Sequence, residues 1–219
     1  MTLLPSQSEL EPIRLAVFAK APVPGYAKTR LIPRLGAAGA ARLHAQLVQR
    51  TLSTLCSIAA AEVTLWCAPD CSDPFFAACA QTFAVPLVKQ SPGDIGARMH
   101  AAFVAQAAAQ APLLLVGTDC PVLAAHHILA AHAALREGNA AVFIPTEDGG
   151  YALIGLQQPQ AALFTAMPWS TPAVMEETRR RLTSQGLRWR ELETLWDLDE
   201  PRDYERWSKH PDAQSQSKA

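Results

Sequence analysis

The stretch LLLVGTDCP, residues 113–121, constrains this chain more than any other. Its first half is an uninterrupted apolar run between Pro112 and Gly117, the pattern of a strand buried on both faces of a parallel sheet. A carboxylate, Asp119, then arrives just past Gly117. Ligands of open α/β sheets sit beyond the carboxyl ends of the strands, so such a strand would deliver Asp119 to a site. Two readings stay open at this point. Asp119 is a ligand for a hard divalent cation, which commonly takes one or two protein carboxylates plus substrate phosphates, or it caps the helix that follows.

The rest of the chain limits what that site can serve. With 219 residues, 49% of them hydrophobic, the chain suits a single α/β domain with a sizeable core. Lys and Arg number 19 against 20 Asp and Glu, which leaves no electrostatic footprint for nucleic acid. Five cysteines without a CxxC pair argue against a disulfide framework or a zinc site and suit reduced cytoplasmic thiols. No run approaches the roughly 18 apolar residues of a membrane span, and the N-terminus lacks the pattern of a signal peptide. Residues 1–11 are expected to form a flexible arm, 12–207 the folded domain and 208–219 a disordered tail.

Residues 13–19 give a first strand that runs into KAPVPGYAKTRLIPRLG, residues 20–36, where Pro22, Pro24, Pro33 and Gly25 predict a shaped loop. Lys20, Lys28, Arg30 and Arg34 line it and would repel one another without an anion, so the segment is either a phosphate clamp or a solvated basic loop. A core helix is expected over 37–60, strands over 63–67 and 85–88, and a short helix opened by Asp73 and Pro74 between them. In residues 90–110, Gly93, Gly96 and Arg98 place flexible backbone and a cation near a helix N-terminus, where anions are favoured; Arg98 equally suits covering the helix surface with its aliphatic stem.

His126, His127 and His132 fall on a helix expected over 124–137. Adjacent histidines point in different directions there, so they are taken as ordinary helix residues. After a strand at 140–144, the turn Asp148-Gly149-Gly150-Tyr151 is either a plain hairpin or a place where Asp148 orients or deprotonates a hydroxyl. Trp169, before a helix that Ser170 is expected to cap, walls a pocket or acts as a hydrophobic staple. An edge strand is expected over 188–192. In WDLDEPRD, residues 196–203, Asp199 sits in the turn ahead of Pro201, as an N-cap or as a second metal carboxylate.

Taken in order, FAKAPVPGYAKTRL, GDIGARM, GTDCP, DGGYALIGL, WST and DLDEPRD resemble a bacterial family of GT-A-like transferases over about residues 13–207. Members of that family are named selenodomain-associated or arsenosugar-biosynthesis glycosyltransferases, and it is similar in turn to 2-phospho-lactate and molybdenum-cofactor guanylyltransferases. The resemblance implies a GT-A fold, α/β with a mostly parallel Rossmann-like sheet flanked by helices, and transfer from a nucleotide-diphospho-sugar. It also implies Mg²⁺ or Mn²⁺ held by Asp119 and Asp199, and nucleotide phosphates met by Lys20, Lys28, Thr29 and Arg30, with Arg98 and Gly117 beside them. An acceptor pocket would be formed by Asp148, Gly149, Gly150, Tyr151 and Trp169. The partners implied are a nucleotide-activated small-molecule donor and an unknown acceptor, with an oligomer left open. The proline-rich first loop departs from the GGxGxR type common among the nucleotide-transferring relatives, so nucleotidyl transfer is the alternative. A non-catalytic nucleotide-binding module is a third reading.

Overall fold

Alternation along the strands builds the molecule. In β1 (Ile13–Lys20), Ile13, Leu15, Val17 and Ala19 face one layer of helices while Ala16 and Phe18 face the other. The same alternation recurs in β4 (Leu113–Val116) and β5 (Ala141–Pro145), whose residues are all buried. The computed structural model describes residues 12–216, so the arm expected over 1–11 lies outside the described residues. A seven-stranded sheet is completed by β2 (Ala61–Ala68), β3 (Leu87–Lys89), β6 (Tyr151–Leu156) and β7 (Trp189–Glu191), in the order β3-β2-β1-β4-β6-β5-β7. Only β6 is antiparallel to its neighbours; the other pairings are parallel, so the carboxyl ends of β3, β2, β1 and β4 share one edge.

Helices α1 (Ile32–Cys56), α2 (Pro74–Phe83) and α4 (Ala125–Arg136) cover one face through Leu52, Phe76 and Ile128. Helices α3 (Ile95–Gln106) and α5 (Val174–Ser184) cover the other through Met99, Phe103 and Leu182. A third cluster joins Leu31, Leu43 and Leu47 to Trp196, Leu198 and Trp207, the last on α6 (Pro201–Ser208). No described helix is long and apolar enough to cross a membrane, and all five cysteines are free thiols.

Several boundaries differ from expectation for local reasons. Helix α1 begins at Ile32, inside the segment expected to be loop, because Pro33 falls in its first turn, where no amide donor is needed; Gly36, at φ 69°, kinks it. Ser170 does not cap α5: it has φ 62°, and the helix begins after Pro172, with Ala173 at the N-cap. Residues 211–216, expected within a disordered tail, form the short helix α7 (Pro211–Gln216), and Arg50 of α1 pairs with its Asp212.

Candidate active site

The buried run of β4 ends at Val116, and the backbone then turns through Gly117 so that Asp119 stands at the carboxyl edge of the sheet. Gly117 donates its N–H to Ala152 O at 3.0 Å and therefore has no free amide for a phosphate. The Leu198 N–H donates to Asp119 O at 2.8 Å, which ties the DLDEP turn to the GTDCP turn. Leu31 and Leu198 are fully buried in the same cluster, so the basic first loop and the acidic last turn are packed against each other.

Between them lies the centre of the site. Lys28 Nζ is 2.5 Å from Asp119 Oδ1 and 2.7 Å from Asp199 Oδ1. The lysine side chain is only 4% exposed, whereas the two carboxylates are 44% and 36% exposed, so the acids are partly open to solvent and the ammonium backs them. Burial alone would drive Lys28 toward its neutral form, but Asp119 and Asp199 outweigh it and raise its pKa. Burial likewise works against the Asp119 carboxylate, and Lys28 reverses the balance and lowers its pKa. Lys28 thus points inward and not along the loop. Lys20, Thr29, Arg30 and Arg34 are exposed, so Lys20, Arg30 and Arg34 are the cations of the expected clamp that are open to solvent.

Two groups near this centre went unassigned from sequence. Asp197 lies close enough to Asp119, Asp148 and Asp199 that burial and their repulsion push its carboxyl well above the usual range. His44 of α1 is buried beside Asp119, and its Nε2 is 3.0 Å from Lys20 O. Burial depresses its pKa, so the neutral ring donates from Nε2 to that carbonyl and holds the end of β1. A helix histidine between Leu43 and Leu47 carries no local signal of this contact.

The DGGY turn is a built hairpin corner. The Thr146 hydroxyl and the Gly150 N–H both donate to Asp148 Oδ1, at 2.6 and 3.0 Å, and Asp148 is exposed. Gly149 takes φ 88°, and a Cβ there would meet Pro172 O at 2.1 Å. Gly149→Ala is accordingly expected to lower stability by about 2–3 kcal/mol, from a strained φ plus a backbone clash, read as a loss of chemical-denaturation midpoint at unchanged slope. Tyr151 does not open to the cleft: its hydroxyl lies 3.9 Å from Met99 Sδ, and burial raises its pKa. Trp169 rests on the first turn of α3, where a Cβ on Gly96 would come within 2.5 Å of its Nε1; this joins the GDIG and WST segments. Arg98 donates to Gly93 O at 2.9 Å, closing the turn ahead of α3. Asp94 caps that helix by accepting from Ala97 N–H at 2.8 Å.

The histidines also depart from expectation. His126 and His127 lie in the first turn of α4 with ring centroids 3.9 Å apart, and both face Glu193, at 3.6 and 2.8 Å. The three residues hold ligand atoms within 4.8 Å of one another, a spacing that could hold a metal. The hydrogen bonds argue otherwise. His127 Nδ1 accepts the Ala124 N–H at 2.9 Å, which leaves the ring proton on Nε2, the atom aimed at Glu193. A metal-binding imidazole donates from its second nitrogen, so this ring is set as a helix cap that braces Glu193.

The carboxylate pair fits a divalent ion better. Its oxygens are hard donors on two turns fixed by a backbone hydrogen bond, and part of each carboxylate is open to the cleft.

Comparison with known proteins bears on this geometry. The chain is similar to a putative nucleotide-diphospho-sugar transferase from Desulfovibrio desulfuricans G20, with 25% identity, TM-score 0.81, and coverage of 92% of this chain and 90% of that one. It shares its fold with CMP:2-keto-3-deoxy-manno-octonic acid synthetase complexed with CTP, at 11% identity, TM-score 0.60 and coverage of 94% and 100%. The same holds for glucosyl-3-phosphoglycerate synthase from Mycobacterium tuberculosis in complex with Mn²⁺, UDP and glucosyl-3-phosphoglycerate, at 11% identity, TM-score 0.51 and coverage of 90% and 75%. The architecture is therefore that of nucleotide-diphospho-sugar transferases and cytidylyltransferases. No protein of curated function matches the sequence. A match over residues 51–171, more than half of its length, shows that the chain belongs to the family DUF2064, described as an uncharacterized protein conserved in bacteria.

Proposed function

We propose that this protein is a metal-dependent transferase that uses a nucleotide-activated donor, in first place a glycosyltransferase cleaving a nucleotide-diphospho-sugar. The observation that carries this reading is the convergence of Asp119 and Asp199, from two turns far apart in the chain, on one buried cation at the carboxyl edge of the sheet. Support comes from the likeness to the D. desulfuricans protein and from the sequence resemblance to selenodomain-associated and arsenosugar-biosynthesis transferases. A fold neighbour in complex with Mn²⁺ and UDP is consistent with Mg²⁺ or Mn²⁺ as the ion. A divalent ion held by Asp119 and Asp199 would offset the charge that develops on the departing diphosphate.

The chain's own residues divide the remaining work. Lys20 and Arg30, exposed at the mouth, pair with phosphate oxygens. Asp148, anchored at one oxygen by Thr146 and Gly150, accepts a hydrogen bond from the acceptor hydroxyl and takes its proton. Trp169, seated on Gly96, walls the acceptor side. Five free thiols go with a cytoplasmic location, where such donors are available.

Incubation with a panel of nucleotide-diphospho-sugars, nucleoside triphosphates and a cytosolic metabolite extract, with and without Mn²⁺, tests the proposal. Mn²⁺-dependent release of a free nucleoside diphosphate is the expected product. Release of pyrophosphate from a triphosphate would assign nucleotidyl transfer instead. Tight nucleotide binding without turnover of any donor would leave a binding module.

A further inference from the structure

We propose that Lys28 and a divalent cation are alternative occupants of the Asp119–Asp199 carboxylate pair, and that the substrate diphosphate receives Lys28 once the cation has displaced it. The inference rests on the proposed reading of that pair as the metal site, and it makes Lys28 the residue that couples metal binding to nucleotide binding.

Three observations and one electrostatic argument carry it. The ammonium contacts both carboxylates at 2.5 and 2.7 Å, so the atoms a metal would need are already neutralised from inside the protein. A divalent ion added to the same two carboxylates would put three positive charges against two negative ones at contact distance, an arrangement in which lysine and ion exclude each other. Lys28 has φ 49° and ψ 45°, a left-handed conformation that a non-glycine residue keeps only where its surroundings over-determine it. Here the two ion pairs and the 2.9 Å bond from Leu31 N–H to Lys28 O hold it, and loss of the pairs removes part of that restraint. Finally, the loop around Lys28 is lightly packed on its outer side: Val23 and Tyr26 are 37% and 80% exposed, and Gly25 takes φ 87°. A shift of residues 23–26 would expose little apolar surface that is not already exposed, while Ala27 and Leu31 stay buried and anchor the segment.

The displaced ammonium has a chemically defined destination. Lys20, Arg30 and Arg34 are already exposed on the same short stretch of chain, and a fourth exposed cation there would be repelled unless an anion joined them. A diphosphate supplies that anion. Metal alone should then bind weakly, since it must drive Lys28 into a field of like charge. Metal together with diphosphate should bind more tightly, and by linkage each should favour the other equally.

Calorimetric titration of Mn²⁺ into wild-type protein, Lys28→Met and Asp119→Asn provides the test. Lys28→Met is expected to bind Mn²⁺ alone at least about tenfold more tightly than wild type, the lower range of a coupling of this kind. Affinity equal to or below that of wild type overturns the exchange. Mn²⁺ binding that survives in Asp119→Asn instead overturns the reading of the carboxylates as the metal site, so the two failures are distinct. If Lys28→Met does not fold, wild-type protein decides the matter through labelling by an amine-reactive succinimidyl ester, mapped by peptide mass spectrometry. Lys28 should be protected in the free protein, labelled at saturating Mn²⁺, and protected again when inorganic pyrophosphate is added with Mn²⁺. Protection that persists at saturating Mn²⁺ contradicts displacement, and labelling that persists with pyrophosphate contradicts the assigned destination.

Discussion

Asp119→Asn is expected to abolish the Mn²⁺-dependent part of nucleotide binding, a loss on the order of 100-fold or more in the affinity measured with metal, while leaving metal-free binding nearly unchanged. The substitution keeps the side-chain shape and the backbone hydrogen bond from Leu198 to Asp119 O, so the turn retains its tie to the DLDEP segment. What it removes is one of the two charges that converge on Lys28. An amide oxygen is a far weaker ligand for a hard cation than a carboxylate, and it cannot neutralise the ion. Because the substitution leaves the exposed Lys20, Arg30 and Arg34 in place, phosphate affinity without metal should persist. Thermal shift with a nucleoside diphosphate, with and without Mn²⁺, checks both halves. An undiminished metal-dependent shift would remove Asp119 from the list of ligands.

Lys28→Met is expected to lower stability as much as Gly149→Ala, by loss of charge and not by strain. Removing one partner of a buried ion pair typically costs about 3–5 kcal/mol, because the other charge is left without compensation. The partners here are 44% and 36% exposed, so water relieves part of that penalty and the expected loss is about 2–3 kcal/mol near neutral pH. The pH dependence gives a sharper signature. In the wild type, Lys28 holds the folded Asp119 pKa below its unfolded value. That contribution is present above the unfolded pKa and is lost as pH falls through the folded one. The raised Lys28 pKa works the other way: its contribution is complete below the unfolded lysine value and is lost only as pH climbs through the folded one. Without Lys28, burial pushes Asp119 upward, and the crowded Asp197 loses the nearby cation that restrains its own rise. Denaturation midpoints of Lys28→Met should therefore recover toward wild type on acidification below about pH 5, where carboxyl groups begin to take up protons. A difference between the two proteins that stayed constant across that range would show that Lys28 stabilises by packing and not by charge.

Much of the frame is visible in the sequence because it is set by local apolar pattern. The buried run of β4 and the alternation of β1 announce parallel strands, and Asp119 and Asp199 stand at turns bounded by Gly117, Pro121 and Pro201. What stayed hidden depends on pairing across long stretches of chain. Nothing near Lys28 says that it turns inward: Asp119 and Asp199 dictate its direction, and the latter is 171 residues away. The same holds for His44, whose partner is the carbonyl of Lys20, and for Tyr151, which alternation along β6 places against Met99 instead of the cleft. The neighbouring histidines look divergent on an ideal helix, yet at the first turn of α4 they converge on Glu193, because His127 leans back to cap Ala124. Ser170 has the composition of a cap, but the packing of Pro172 on Gly149 delays the helix past it.

The most direct test of the account is anomalous diffraction from crystals grown with Mn²⁺ and a nucleoside diphosphate that gives a thermal shift. A Mn²⁺ peak at Asp119 and Asp199 is expected, with the diphosphate beside it and Lys28 withdrawn from the carboxylates. A Mn²⁺ peak at His126, His127 and Glu193 with none at Asp119, or a nucleotide bound away from the Lys20–Arg30 loop, would contradict it.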